Sequence, residues 1–402
     1  MRRDDVRRLF SAGYRIFFLL AGLSAVFSMI VWEGWLAIHA SGGSVAGAPF
    51  AMAPHLWHGH ELLFGYGSVA VAGFLLTAAP NWVKARDASV AYFVTLSAVW
   101  LAGRMAIWWS ASLPGGVVAL FDLAFLPLVA GKVFAMLIKR PKPPQMMILG
   151  VIALVWTGNL LVHLEWLGLT ATEARGQRVG LLALAALIAI LGGRVTPAFT
   201  GNAMKRIGLE DGLPRNPMLL AGAGIALAIL AALTMALPLP VSVPGAFAIA
   251  AGLVALGRMT MWRSLWARRD PIVWTLHVSY AFNAAGLIAL GFAQFGVGSE
   301  VAALHLLAIG GIGGMTVSVM SRAAIGHSGR SLHAPGPVVI AYALIPVAAL
   351  VRYAGSAYPD IYIPAILISG GLWIVLFTLY TVALWPVFWG ERMDARVQGA
   401  AA

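Results

Sequence analysis

The feature that most constrains this chain is a recurring apolar run about 20 residues long, broken by short stretches rich in Arg, Lys, Pro and Gly. A helix rises 1.5 Å per residue, so about 20 apolar residues cover the hydrocarbon core of a bilayer. In that core every backbone N–H and C=O must be paired within the segment, and a helix does this. Reading the chain on this rule gives twelve spans, at roughly 14–38, 61–83, 88–110, 115–138, 145–167, 178–198, 217–237, 244–262, 271–295, 301–321, 336–353 and 362–388. The expected fold is an all-α polytopic membrane protein, a single integral-membrane domain over residues 1–402 with no soluble domain. The basic start Met1-Arg2-Arg3 leads into a run that is long enough to span and lacks a small-residue cleavage site, so no cleavable signal peptide is expected.

Composition agrees. Charged residues make up 10% of the 402, against about a quarter in a soluble domain, and the mean hydropathy is +0.86. A net charge of +12 would suit nucleic acid if it were clustered on one surface, but here it is spread over the short stretches between spans. No nucleic-acid partner is expected; the partner is the lipid bilayer. Of the 27 Lys and Arg, only Arg175, Arg178 and Arg352 fall in one set of loops, and Arg104, Lys132 and Arg258 fall within spans. The rest lie at the other ends, including the stretches at Lys84, Lys139, Lys205, Arg268, Arg322 and Arg392. By the positive-inside rule both termini are cytoplasmic and the 39–60 loop is periplasmic, in a bacterial inner membrane.

There is no cysteine, which excludes disulfides, iron–sulfur clusters, thiolate copper and c-type haem. Nine His and fifteen Met remain as metal ligands. No nucleophile–base triad, P-loop or dinucleotide fingerprint appears.

The richest constellation is PHLWHGHELLFGYG (54–67), with His55, His58, His60 and Glu61 at the outer start of span 2. Imidazoles suit zinc, copper and haem iron. His55 and His58 share a face if the helix starts early, and His60 points elsewhere. In span 10, LHLLAIGGIGG places His305 five residues after Glu300, about 7–8 Å into the helix and at a depth similar to His60. Two imidazoles at one depth on two helices can clamp a flat macrocycle. The glycines 310, 311, 313 and 314 allow close approach of a haem or of a packed helix. His277 in span 9 reads as a buried histidine bonded to a neighbouring helix, or as a second metal or proton-relay site. Arg194, between Gly192-Gly193 and Pro197, marks a helix break that could receive an anion or a quinone headgroup. Arg104 in span 3 needs a partner, for which Glu33, Glu61 or a haem propionate would serve. Asp122 and Lys132 are too far apart on span 4 to pair. His39, His163 and His333 read as interface histidines. Spans 2, 6 and 10 each end in a polar, turn-rich string, GFLLTAAPNW, GGRVTPAFTGNA and SRAAIGHSGR, which suggests three quasi-repeats of four helices.

These strings, with PHLWHGHELLFGYG and LHLLAIGG, resemble the NnrS family of bacterial membrane proteins. The resemblance implies haem b and copper as cofactors and a role in nitric oxide metabolism and nitrosative-stress protection, linked to denitrification. It supplies no established reaction. A more distant likeness is to the catalytic subunit of haem–copper oxidases, which has twelve spans in three quasi-repeats. There the low-spin haem is held by histidines on spans 2 and 10; here His58 or His60 and His305 stand in the analogous places. Arg352, in VRYAGSAYPDIY, would face propionates. Span 6 carries no His and span 10 only one before its cytoplasmic end, so the oxygen-reducing centre is absent in that form. On this reading His55 and His58 take copper, His60 takes iron in preference to His58, and Glu61 orients one ring. The rival functions are a quinol-linked oxidoreductase that consumes nitric oxide and a transporter with a histidine-lined path.

Overall fold

The structure is a computed structural model that describes residues 3–141 and 143–393. Lys142, in the Lys139 loop, and the chain ends that carry the expected cytoplasmic orientation lie outside the described residues. Twelve helices are long and apolar enough to cross a membrane. Spans 1 to 4 are Gly13–Ala40, Pro54–Val83, Val90–Trp108 and Gly115–Leu137, and spans 5 to 8 are Pro143–Trp166, Glu173–Arg206, Met218–Ala236 and Ser242–Met259. Spans 9 to 12 are Pro271–Gln294, Glu300–His327, Gly336–Ala357 and Pro359–Trp389. The protein is a multi-pass membrane protein.

Nine of these spans begin and end within a few residues of the sequence reading, whereas spans 2, 6 and 10 run clearly longer. The reason is burial. Their most apolar windows are 67%, 83% and 72% buried, and no other span exceeds 56%. A helix enclosed by protein can carry polar residues at membrane depth, where a hydropathy rule stops reading. Span 2 starts at Pro54, a residue suited to the first helical position, so PHLWHGH forms its opening turns.

The same three spans share a second feature. Each passes through a π-helical stretch, Glu61–Gly67, Ile188–Gly192 and Leu306–Gly313. Among the described residues no other span has one. A π-turn widens the helix and loosens its carbonyls, so outside donors are needed. Trp100 Nε1 donates to the Gly65 carbonyl at 3.1 Å. Just past the π stretch of span 6, Pro197 has no N–H for the Gly193 carbonyl, and Arg258 Nη2 and Asn216 Nδ2 donate to it instead at 2.9 and 3.1 Å. The period of four expected from the helix-end strings is thus repeated in burial and in backbone geometry. His60 and His305 are the residues immediately before the π-turns of spans 2 and 10; Leu187 holds that place in span 6.

The chain forms two compact units. The first comprises the residues up to Gln177, Met320–Val338 and the chain from Phe377. In it span 2 packs on spans 1 and 4, and span 4 also on spans 3 and 5. The second comprises Arg178–Val319 and Val339–Leu376. In it span 9 is central, packing on spans 8 and 10. The glycines of span 10 serve this helix contact. A Cβ on Gly311 would lie 2.9 Å from the Asn283 Cα and 3.1 Å from its nitrogen, and one on Gly310 would meet the Phe282 ring. We expect Gly311→Val to force the two helices apart and sharply lower the yield of monodisperse protein in fluorescence-detected size exclusion. A wild-type profile would show that the contact tolerates a larger side chain.

Candidate metal centre

A buried polar cluster sits inside the first unit, assembled from spans 2 to 5. Span 4 is broken beside it. Pro127 has no N–H and crowds the carbonyl four residues back, so the span consists of Gly115–Leu123 and Phe125–Leu137. The freed Leu123 carbonyl accepts from Trp156 Nε1 at 3.0 Å. Asp122 stands at this break with a fully buried side chain. Span 3 approaches closely because position 103 is glycine: a Cβ there would lie 3.1 Å from the Phe121 carbonyl oxygen. That approach delivers Arg104. Span 5 adds Asn159 and His163, four residues apart and so on one helix face.

His60 is 0% exposed. Its Nε2 lies 3.1 Å from Asp122 Oδ2 and 2.9 Å from Asn159 Oδ1, and its Nδ1 lies 3.4 Å from Glu61 Oε1. His163 Nε2 reaches the same Asp122 Oδ2 at 2.8 Å, and Asn159 Nδ2 donates to it at 2.8 Å. Arg104 donates to Glu61 Oε1 and to Asp122 Oδ1. One carboxylate oxygen therefore gathers two imidazoles and an amide, while the guanidinium holds the other oxygen. Ligand atoms of His60, Asp122 and His163 all lie within 4.8 Å of one another, which makes the group able to hold a metal ion. The His60 ring is enclosed by Trp166, Phe64 and His163 at centroid distances of 5.0, 5.3 and 5.8 Å.

With this geometry in place, comparison with known families is decisive. The family model for the NnrS protein matches residues 8–392, nearly the whole chain. The chain belongs to the NnrS family. Among curated proteins no match is found.

The other residues singled out in this NnrS-family chain are distributed as follows. His55 is exposed and His58 half-buried on the opening turns of span 2. The His58 ring stacks on Trp32 at 4.9 Å, and Trp32 stacks on Trp35 at 5.6 Å. His55 and His58 are not drawn into the cluster with His60. His305 is half-buried in the second unit, and its Nδ1 donates to the Val301 carbonyl at 2.7 Å. That bond fixes the tautomer in which Nε2 carries the lone pair. His277 Nε2 donates to Thr200 Oγ1 at 2.8 Å, and Ser264 Oγ donates to its Nδ1 at 2.9 Å. Both ring nitrogens are thus occupied by hydroxyls. Arg194 is exposed; the cation at the Gly193 carbonyl is Arg258, which is 1% exposed. Arg352 is buried near the end of span 11, where it donates to Ser356 Oγ and lies over the Tyr362 ring. Arg104 pairs with Glu61, one of its expected partners, and with Asp122.

One expectation needs correction. His163 is not an interface histidine; it is 2% exposed and bonded to Asp122. Its polar partners lie on other helices, which its own neighbourhood in the sequence does not reveal. Asp122 and Asn159 were missed as site residues for the same reason. The usable signal was Asn159 and His163 at a four-residue spacing, with a carboxylate inside the preceding span.

Proposed function

We propose that this protein acts in nitric oxide metabolism and nitrosative-stress protection as a metal-binding protein of the bacterial inner membrane. Membership of the NnrS family fits a role in nitric oxide-related processes. The observation that carries the reading is the buried His60–Asp122–His163 group, because a dry metal site within the bilayer meets an apolar gas where it concentrates.

Haem b and copper are the cofactors the family implies, and both bind nitric oxide. The enclosed His60 ring suits a compact ion and leaves no face for a macrocycle. Within the second unit a haem would be held through His305, with Arg352 for its propionates. Copper suits imidazole donors such as His55 and His58, which share a face on the opening turns of span 2. Arg104 is already neutralised by two carboxylates, so a propionate role is not assigned to it.

In a strain lacking the protein, growth under a nitric oxide donor should be restored by the wild type and not by His60→Ala or His305→Ala. Restoration by both variants would remove the metal-based reading. In purified protein, His305→Ala should lose the haem Soret band while still inserting; an unchanged reduced-minus-oxidised spectrum would reject it as a ligand. Both termini are proposed to be cytoplasmic. Reporter fusions at residue 45 and at the C-terminus should then report periplasm and cytoplasm respectively, and the reverse pattern would overturn the orientation.

A further inference from the structure

The donor atoms of His60, Asp122 and His163 narrow the kind of metal. Metal–ligand bonds to imidazole and carboxylate are about 2.1 Å long, so neighbouring ligands at right angles stand about 3 Å apart. Asp122 Oδ2 lies 3.1 Å from His60 Nε2 and 2.8 Å from His163 Nε2. Two of the three donor separations therefore already match those around an ion, and all three atoms lie within 4.8 Å of one another. We propose that this group is a mononuclear non-haem ferrous iron site whose open positions bind nitric oxide. The metal assignment rests on the donor set, and the ligand rests on the nitric oxide reading above.

Two imidazoles and one carboxylate without sulfur form a ligand set shared by non-haem ferrous and zinc centres with open positions. Of these two ions ferrous iron is the one that binds nitric oxide, and the carboxylate sets the group apart from the imidazoles of His55 and His58 assigned to copper. The surrounding bonds prepare each ligand. Arg104 holds Asp122 Oδ1, which leaves a single oxygen for the ion. Glu61 Oε1 stands 3.4 Å from the Nδ1 of His60, positioned to accept its N–H once an ion takes Nε2 in place of the proton now shared with Asp122. Two carboxylates face one guanidinium, so with neutral imidazoles the cluster has an excess negative charge that favours a cation.

A small pocket walled by Phe64, Trp100, Phe121 and Trp156 reaches Asp122, Arg104 and Asn159 and is about the size of one water; His60 and His163 do not line it. Nitric oxide coordinates ferrous iron through its nitrogen. No protein bond breaks and no electron leaves the site, so no co-reactant is required.

The test uses the full-length protein purified without oxygen, loaded with Fe(II) and exposed to nitric oxide. We expect iron in excess of haem and a high-spin iron–nitrosyl resonance. The resonance should fall at least tenfold in His163→Ala and persist in His305→Ala. X-ray absorption of the wild-type iron should show a nitrogen and oxygen shell containing imidazole, a readout that stands even where a variant fails to fold. Absence of bound non-haem iron, uptake of zinc alone, a porphyrin or sulfur shell, or an undiminished resonance in His163→Ala would each overturn the site. Iron bound in the expected shell with no nitrosyl would keep the metal assignment and overturn the ligand and the reading it rests on.

Discussion

Replacing Asp122 with Ala should produce the largest loss of stability of any single change in the first unit. Its carboxylate accepts from Arg104, His60, His163 and Asn159, and the side chain is fully buried. Removing it leaves a buried guanidinium with Glu61 as its one carboxylate and three further polar groups without their shared acceptor. Breaking a buried ion pair on one side costs about 3–5 kcal/mol, and the stranded imidazole N–H groups add to that. We expect a markedly lower melting temperature in detergent and poor recovery from membranes. Asp122→Asn keeps the shape and some of the bonds and should fall in between. If Asp122→Ala melts like the wild type, the cluster is not holding spans 2 to 5 together.

Arg258→Leu should have the next largest effect, in the second unit. Its guanidinium donates at 2.9 Å to the Gly193 carbonyl, which Pro197 leaves without an N–H four residues on, and it also donates to Asn216 Oδ1 at 3.2 Å and to Tyr280 Oη at 2.9 Å. It stacks over Trp262 at 5.3 Å. Leucine fills part of the volume but leaves the Asn216 amide oxygen and the Tyr280 phenol without their donor, and the Gly193 carbonyl with Asn216 Nδ2 alone. Each unsatisfied buried group costs about 1–3 kcal/mol. Hydrogen exchange at residues 188–196 should accelerate by at least tenfold, because the helix at the Gly193 carbonyl loses one of its two outside donors. Arg258→Lys, with one compact donor, should recover only part of the protection. Unchanged exchange in Arg258→Leu would mean that Asn216 alone suffices to hold the Gly193 carbonyl.

The architecture was largely legible in the sequence, since length and apolarity are one-dimensional properties. The twelve spans follow from them, and the ends of the lipid-facing spans agree with the helices. The early start of span 2 was not legible: His55, His58 and His60 look like loop residues until Trp57, 1% exposed, is seen to anchor the first turn in a cluster with Phe50 and Ile107. The π-turns were not legible either. Their hydrogen-bond pattern is set by packing, and the sequence offers only paired glycines at 192–193 and 310–311. For the site, His60 was singled out by its crowded motif. Asp122 lies in one apolar run and Asn159 and His163 in the next, and the bonds that give them meaning reach across 18 to 99 residues. Asp122 was weighed against Lys132 on its own helix, whereas its cation, Arg104, comes from the span before.

The most direct measurement is an anomalous difference map at the iron absorption edge, from crystals of protein purified without oxygen and loaded with Fe(II). A strong peak is expected, bounded by His60 Nε2, His163 Nε2 and Asp122 Oδ2. A map with iron only at His305, or with no anomalous scatterer among these three side chains, would contradict it.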